Sequence, residues 1–251
     1  NKVLIGQSEK EIRNVIEEFN PDIVGISILF SNLNESGHTI ARITKSINPK
    51  IHVLIGGNHI TNSLIDYQHN IIHPGDNIPL IKDLEDENID FAMVGESDFN
   101  IIELVNKLIN NQDISKVPGL LKRVSRGKYF HNPSDRITDL INLPIPARSL
   151  VNMEGYFDIG AFHSAKSKSN RVLNIMCSRG CPEKCSFCTT PQMWGSIVRW
   201  RKLEDIEKEI KMGVDEFQIG EIQFEDDTIT ARKKNLIDLC NVLEKVGLPW
   251  C

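Results

Sequence analysis

Two short apolar runs constrain the fold of this chain more than any other feature. Residues 22–28 read Asp-Ile-Val-Gly-Ile-Ser-Ile, and residues 51–55 read Ile-His-Val-Leu-Ile. Nearly continuous apolar sequence is typical of strands that are buried on both faces of a parallel sheet covered by helices. A third strand is predicted at 91–94, and helices are predicted at 8–19, around 40–47 and at about 99–110. This alternation of strands and helices predicts a doubly wound, Rossmann-like α/β domain.

The remaining sequence indicates a connecting segment followed by the start of a second domain. Residues 119–130 predict a β-hairpin that turns at Arg126-Gly127, and prolines at 133, 144 and 146 mark a stretch with little periodicity. Strands and helices then alternate again, at 172–176, 203–212, 222–224 and 231–246. This order matches the opening of a TIM-type (β/α) barrel, whose reactive loops follow the C-terminal ends of its strands.

We therefore expect three segments along the chain. A Rossmann-like domain occupies residues 1–115, a hairpin and proline-containing connector occupies 116–170, and the start of a barrel occupies 171–251. The chain begins at Asn1 rather than at a methionine, and it stops where another strand is predicted. Both terminal domains are therefore expected to be truncated.

Charge and composition exclude several classes of function. The 29 Lys and Arg residues are outnumbered by 34 Asp and Glu residues, so the formal net charge is −5 and no basic surface for nucleic acid is predicted. No apolar run reaches the roughly 18 residues that a membrane span needs, and no signal peptide is recognisable. Six cysteines in 251 residues do not make a small secreted domain stapled by disulfides. The sequence predicts a cytoplasmic protein.

Three cysteines within eight residues are the strongest chemical signal. Cys181, Cys185 and Cys188 form a Cys-x3-Cys-x2-Cys run after the strand predicted at 172–176. Three thiolates can hold three irons of a [4Fe–4S] cluster and leave the fourth iron open for chemistry. Cys177 is interpreted as a bystander or backup ligand. Alternatively, it completes a structural zinc site of four thiolates, although such sites usually contain two separated Cys-x-x-Cys pairs.

The triplet, with Phe187 directly before its last cysteine, resembles the signature of the radical SAM enzymes. The resemblance implies that the open iron chelates the amino and carboxylate groups of S-adenosylmethionine and reduces it to a 5′-deoxyadenosyl radical. It also implies that Phe187 packs near the adenine of that cofactor. Plain core packing is the alternative role for this phenylalanine.

Three consecutive carboxylates follow the strand predicted at 222–224. Adjacent carboxylates repel one another unless a cation or hydrogen-bond donors lie nearby, and the resemblance implies acidic contacts to the methionyl amino group at this position. The alternative is a solvated turn that caps the next helix. Arg199 and Arg201, which flank Trp200, are expected to pair either with the cofactor carboxylate or with Asp226 and Asp227. The cofactor-binding residues implied here are Arg199, Glu225, Asp226 and Asp227.

A second set of motifs, in the first domain, resembles the cobalamin-binding Rossmann-like domains. A Ser-x-Leu sequence lies at the end of the first strand, a Gly-Gly pair follows the second, and a Gly-Glu turn follows the third. The resemblance places the dimethylbenzimidazole tail in a slot beside the sheet, where a side chain would occupy the space of the tail. The residues that it implies are Ser27, Leu29, Gly56, Gly57, Gly95 and Glu96.

Over essentially its full length, the chain thus resembles the cobalamin-binding radical SAM proteins. The resemblance implies a [4Fe–4S] cluster, S-adenosylmethionine and cobalamin as cofactors, a flavodoxin or ferredoxin as reductant, and a small-molecule substrate. The activity implied is anaerobic methyl transfer to an unactivated carbon. One alternative is a non-methylating cyclase or rearranging enzyme, such as the anaerobic cyclase of magnesium-protoporphyrin ester. Another is a zinc or electron-transfer module that has no reaction of its own.

Overall fold

The computed structural model describes residues 6–160 and 167–251, which form two compact units. Residues 7–136 form the first unit, and the described residues from 137 onward belong to the second. The segment predicted as a connector, 116–170, is therefore divided between the two. None of the described helices is both long enough and apolar enough to cross a membrane.

The first unit contains four helices and five strands among its described residues. In chain order they are α1 (Glu9–Phe19), β1 (Ile23–Ser27), α2 (Asn34–Ile47), β2 (His52–Gly56), α3 (Asn58–Gln68), β3 (Phe91–Met93), α4 (Asn100–Ile109), β4 (Leu120–Ser125) and β5 (Lys128–His131). The predicted strands and helices are all present. The helix α3 was not predicted from the sequence.

Helix α1 begins as its sequence predicts. The Ser8 side chain accepts a hydrogen bond from the Glu11 amide, and the Glu11 carboxylate accepts one from the Ser8 amide, which is a complete capping box. The predicted apolar face is buried only in part, because the helix packs against α2 through Ile12 and Ile16. Phe19, at the end of the helix, remains exposed.

Strands β1, β2 and β3 run parallel in that order, and the hairpin β4–β5 continues the sheet with antiparallel strands. Val53 and Ile55 pack beneath α2 and α3, whereas Leu54 points to the opposite face and meets Leu104 of α4. Helices thus cover both faces, as expected of a Rossmann-like domain. The strand order does not reverse among the described residues, so the doubly wound part of the prediction is not seen there.

The hairpin belongs to this sheet rather than to a connector. Leu120 and Leu121 are buried and pair with Met93 and Ala92 of β3. Had β3 been left as an edge strand, its backbone donors and acceptors would have lacked partners, and the hairpin supplies them. The buried residues Leu120 and Leu121 therefore attach the hairpin to the sheet, and the first unit extends to residue 136.

The second unit contains the start of a parallel sheet. Its described elements are α5 (Met153–Ile159), β6 (Val172–Ile175), β7 (Ser178–Arg179), α6 (Thr190–Met193), β8 (Arg199–Trp200), α7 (Leu203–Phe217), β9 (Glu221–Phe224) and α8 (Lys233–Val246). Strands β6 and β9 are parallel, and β7 and β8 form a short antiparallel ribbon. Trp250 makes a parallel bridge to Ile222, where the sequence predicts a further strand. Leu173, Ile175 and Ile222 pack beneath α7 and α8.

Candidate functional site

The cysteine loop, residues 177–189, starts directly after β6 and folds back on the segment that ends in β8. Gly180 fixes the turn: its φ is +103°, and a Cβ at this position would lie 2.4 Å from the carbonyl oxygen of Ile197. Only glycine avoids both the left-handed strain and this collision. The Cys181 amide then donates to the carbonyl of Gly195 at 3.1 Å. The turn at Gly180 and the pairing of β7 with β8 thus place Cys181, the first cysteine of the triplet, beside residues 195–200.

The three cysteines of the triplet are free thiols that differ in solvent exposure. Cys181 is buried, Cys188 is half-buried and Cys185 is exposed. The loop therefore supplies the three cysteine ligands that an iron–sulfur cluster with one open iron requires. The thiols are not gathered at a point, since within residues 6–160 and 167–251 no three His, Cys, Asp or Glu side chains are arranged to hold a metal ion.

Cys177 differs from the triplet in its surroundings. Its side chain has no exposed surface and packs in the core of the second unit, beside Leu173 and Ile175. Burial raises the pKa of this thiol, and the nearby Asp226 carboxylate raises that pKa further. Because metals bind the thiolate, these surroundings disfavour Cys177 as a ligand and favour its interpretation as a bystander.

The acidic turn, residues 225–228, holds the cysteine loop by side-chain hydrogen bonds. Asp226 accepts from the Cys177 amide at 2.9 Å and from both the amide and the hydroxyl of Ser178. Thr228 Oγ1 lies 3.0 Å from Cys181 Sγ. Asp227 accepts from the Thr190 hydroxyl at 3.1 Å. Each of these three side chains in the turn therefore contacts a residue in or next to the cysteine loop.

Hydrogen-bond donors from the protein lower the pKa of Asp226 but do not offset its burial and its repulsion from Asp227. Burial raises the pKa of Asp226 and outweighs the three hydrogen bonds, while the neighbouring Asp227 raises that pKa as well. Glu225 accepts from the side-chain amide of Asn174. Asp226 is therefore engaged by the loop backbone, whereas Asp227 is the exposed carboxylate of the turn.

The other two residues that the resemblance implied in this unit lie in contrasting environments. Phe187 is 88% exposed, so its ring is not a core residue of the second unit. Arg199 is buried and donates to the carbonyl oxygens of Ile137 and Trp194, the latter at 2.6 Å. These contacts tie residue 137 to the β8 segment, which is a structural role that the sequence did not indicate.

A glycine groove lies on the first unit, beside the C-terminal ends of β1, β2 and β3. It has a volume of about 300 Å³. The sequence predicts buried faces on both sides of β1, yet Gly25 and Ser27 are exposed, since α4 packs over β2 and β3 on this face. Residues that line the groove include Gly25, Ser27, Gly56, Gly57, Gly95 and Ser97.

Glycine serves two different purposes in this groove. At Gly57 the φ is +97° and a Cβ would lie 2.6 Å from the Ile28 carbonyl oxygen, so the backbone itself requires glycine. At Gly25 a Cβ would meet nothing within 4 Å. The missing side chain at Gly25 therefore leaves this part of the groove open.

The groove includes four of the six residues that the cobalamin resemblance implied. Leu29 and Glu96 lie outside it: Leu29 is half exposed, and Glu96 is buried and has a partner. Gly25 was not predicted, although a glycine within an apolar strand often marks a site where a ligand or another backbone approaches closely. Ser97 was also missed, and it has no comparable sequence signal.

Comparisons with known proteins found similarity to a cobalamin-binding domain family and to longer enzymes. The family model of the B12 binding domain matches residues 3–76. The cytidylyl-2-hydroxyethylphosphonate methyltransferase of Streptomyces wedmorensis is 30% identical over 98% of this chain and 47% of its own length. The anaerobic magnesium-protoporphyrin IX monomethyl ester cyclase of Rubrivivax gelatinosus is 26% identical over 97% of this chain and 40% of its own length. The chain thus spans less than half the length of these two relatives.

Solved structures show the same fold. The cobalamin-dependent S-adenosylmethionine radical enzyme OxsB, with aqua-cobalamin and S-adenosylmethionine bound, superposes with a TM-score of 0.68 at 17% identity, over 96% of this chain and 31% of that one. The radical S-adenosylmethionine methyltransferase TsrM from Kitasatospora setae, with cobalamin and a [4Fe–4S] cluster bound, gives a TM-score of 0.61 at 15% identity, over 95% of this chain and 42% of that one. At these identities the likeness concerns the fold alone.

Proposed function

We propose that the chain is part of a cobalamin-binding radical SAM enzyme that methylates an unactivated carbon of a small molecule, which the match to the B12 binding domain and the similarity to the methyltransferase of Streptomyces wedmorensis support. The proposed cofactors are a [4Fe–4S] cluster, S-adenosylmethionine and cobalamin, with a flavodoxin or ferredoxin as electron donor. The observation that carries the proposal is the presence of two sites in one chain, a three-cysteine loop and a groove floored by glycine. The methyltransferase from Streptomyces wedmorensis supports methyl transfer as the reaction.

We assign Cys181, Cys185 and Cys188 as the residues that would hold the cluster. When bound there, a cluster with one open iron supplies the electron that splits S-adenosylmethionine into methionine and a 5′-deoxyadenosyl radical. The chain's own residues set the place of this chemistry. Asp226 fixes the first turn of the loop through the amides of residues 177 and 178, and the exposed ring of Phe187 is available to pack on the adenine.

We assign the glycine groove as the slot for the nucleotide tail of cobalamin, which carries the methyl group when bound. Gly25 and Gly56 leave the floor of the groove without side chains, and Ser27 presents a hydroxyl at its edge. The backbone turn at Gly57 brings α3 close behind the end of β2. These residues exclude water from an apolar slot and orient the tail beside the sheet.

A non-methylating reaction is the second candidate. It is supported by the similarity to the cyclase of Rubrivivax gelatinosus over 97% of this chain. The two candidates share every cofactor and differ in the fate of the substrate radical. Transfer of a labelled methyl group from S-adenosylmethionine into product would support the first candidate. Formation of 5′-deoxyadenosine without labelled product would support the second.

Anaerobic reconstitution of the full-length protein with iron, sulfide and hydroxocobalamin tests the proposal. We expect a protein that retains a corrinoid, binds about four irons and four sulfides per chain, and cleaves S-adenosylmethionine after reduction. Cys185→Ala is expected to abolish the cleavage. Zinc in place of iron, or cleavage that survives in Cys185→Ala, would overturn the assignment of the cluster ligands.

The groove is tested by a glycine substitution that adds volume without disturbing the backbone. A Cβ at Gly25 meets nothing within 4 Å, and valine is favoured in strands, so Gly25→Val is expected to fold. It is expected to lose corrinoid retention, because the new side chain projects into the groove. Gly6→Val is the matched control, since a Cβ at Gly6 also meets nothing within 4 Å and Gly6 does not line the groove. Corrinoid binding by Gly25→Val at the wild-type level would contradict the assignment of the glycine groove as the slot for the cobalamin tail.

A further inference from the structure

Strand β6 has one paired edge and one edge that no described strand covers. On the paired edge, the Ile175 carbonyl accepts from the Glu225 amide at 2.9 Å. Successive carbonyls of a strand point to opposite edges, so those of Asn174 and Met176 point away from β9. Met176 is the last residue before the cysteine loop. The backbone that leads into the loop therefore has acceptors in need of donors on its second edge.

Two arginines supply these donors. Arg148 donates from Nη2 to the Asn174 carbonyl at 2.8 Å, and Arg201 donates from Nη1 to the Met176 carbonyl at 3.0 Å. The backbone amide of Arg201 also donates to the Cys177 carbonyl at 2.9 Å. The two arginines thus supply hydrogen-bond donors to this edge along the segment from Asn174 to Cys177.

A single buried carboxylate joins the two arginines. Glu209 of α7 is 1% exposed, and its Oε1 lies 2.7 Å from Arg148 Nη1 while its Oε2 lies 2.6 Å from Arg201 Nη2. These contacts are close ion pairs rather than well-aligned hydrogen bonds. Isolated burial of a carboxylate is costly, so Glu209 depends on both guanidinium groups. Its helix is in turn fixed by Ile206 and Ile210 in the core.

We propose that Arg148, Arg201 and Glu209 are positioning residues for the cysteine loop. They hold the carbonyls of the segment before the loop, while Asp226 holds the amides of residues 177 and 178 that follow it. The origin of the loop is therefore fixed from two directions. The role in cofactor chemistry rests on the proposed function, because it concerns the place at which Cys181, Cys185 and Cys188 would present a cluster.

Two variants and one matched control test the proposal in the full-length protein. Glu209→Gln removes the charge that joins the arginines. Arg148→Lys keeps the charge but cannot reach Glu209 and the Asn174 carbonyl with one planar fork, and it remains informative if Glu209→Gln fails to fold. Glu207→Gln is the control, because Glu207 lies on the same helix and its carboxylate pairs with Lys211 at the surface, at 2.6 Å.

The first readout is amide hydrogen exchange of the protein without cofactors. We expect exchange in peptides that cover 172–180 to accelerate by about tenfold or more in Arg148→Lys and Glu209→Gln, as for a locally opened segment, with wild-type rates in Glu207→Gln. Unchanged exchange in this segment in a folded variant would overturn the proposal. This readout needs neither cluster nor corrinoid, so it is independent of the proposed function.

The second readout is the electron paramagnetic resonance spectrum of the reduced, reconstituted protein. In the wild type and in Glu207→Gln we expect the spectrum to change when S-adenosylmethionine is added. In Arg148→Lys we expect iron to be retained and this change to be lost or to require a higher cofactor concentration. A wild-type response in Arg148→Lys would overturn the positioning role. A wild type that binds no iron would instead refute the proposed function, while the exchange result would still stand.

Discussion

At the scale of single residues, Cys177 distinguishes the two candidate metal sites, because the four-thiolate zinc site requires it as a ligand and the three-cysteine iron–sulfur site does not. Because its side chain is fully buried and its thiol pKa is raised, we expect Cys177→Ala to leave the iron and sulfide content unchanged. The substitution removes a sulfur from a packed core, so the free energy of unfolding should fall by about 1–2 kcal/mol. Iron and sulfide analysis and urea unfolding check the two expectations.

The matched comparison is Cys188→Ala, which removes a half-buried thiol of the triplet. It should lose the cluster. If Cys177→Ala also lost its metal, and the metal proved to be zinc, the four-thiolate site would be correct and the open iron would not exist.

The sequence identified the acidic turn but not the separate roles of its residues. Three adjacent acids indicate a cluster of charge, yet the partners of Asp226 are two amides 48 and 49 residues earlier in the chain. Those partners are set by the parallel register of β6 and β9, which local sequence does not encode. Arg199 is a similar case, since its carbonyl partner at Ile137 is 62 residues away.

At the scale of elements, the carboxylate of Glu221 links the start of β9 to the segment before β6. It accepts from the Ser167 hydroxyl at 2.8 Å and from the amides of Lys168 and Ser169. Burial raises the pKa of Glu221, but these hydrogen bonds outweigh it, so that pKa lies below its usual value. The ionised form is therefore favoured in the folded state more than in the unfolded one.

Because the carboxyl pKa of Glu221 is lower in the folded state, its contribution to the free energy of unfolding decreases as the pH falls. The contribution of Glu221 is present above its unfolded pKa, about 4.3, and is lost as the pH falls through its lower folded value. Glu221→Gln should therefore lower the free energy of unfolding by about 1–3 kcal/mol at pH 7, and the difference from wild type should shrink below about pH 4. Urea unfolding across this pH range measures it.

Glu216→Gln provides the control, because Glu216 is an exposed carboxyl on α7 in the same unit. Its stability curve should follow that of the wild type across the pH range. A difference for Glu221→Gln that stayed constant down to pH 3 would show that the carboxylate charge makes no contribution.

Helices and strands whose apolar residues recur with a clear periodicity were predictable, whereas short elements and elements with few apolar residues were not. The sequence predicted β1, β2, β3 and the amphipathic helix α7, though it placed the end of that helix five residues early. It missed α3, whose buried side chains are only Ile60 and Leu64, a single helical repeat. It also missed β7 and β8, since strands of two residues carry no period.

At the scale of the whole molecule, the two proposed cofactor sites draw on different units. Every residue that lines the glycine groove lies between 25 and 101, whereas the cysteine loop and the acidic turn lie between 177 and 228. Each site is built by the end of a parallel strand and the loop that follows it. Parallel strands place their loops at one edge of a sheet, which is why both units present their candidate residues after strand ends.

This separation predicts that the two cofactors load independently. Gly25→Val should lose corrinoid but keep wild-type iron and sulfide, and Cys185→Ala should lose the cluster but keep wild-type corrinoid. The expectation follows because Gly25 lies in the first unit and Cys185 lies in the second. Metal analysis for iron and cobalt on both reconstituted variants, and on Gly6→Val as control, measures the loading. Loss of both cofactors in a folded Gly25→Val or Cys185→Ala protein would show that one site requires the other, which would contradict independent loading.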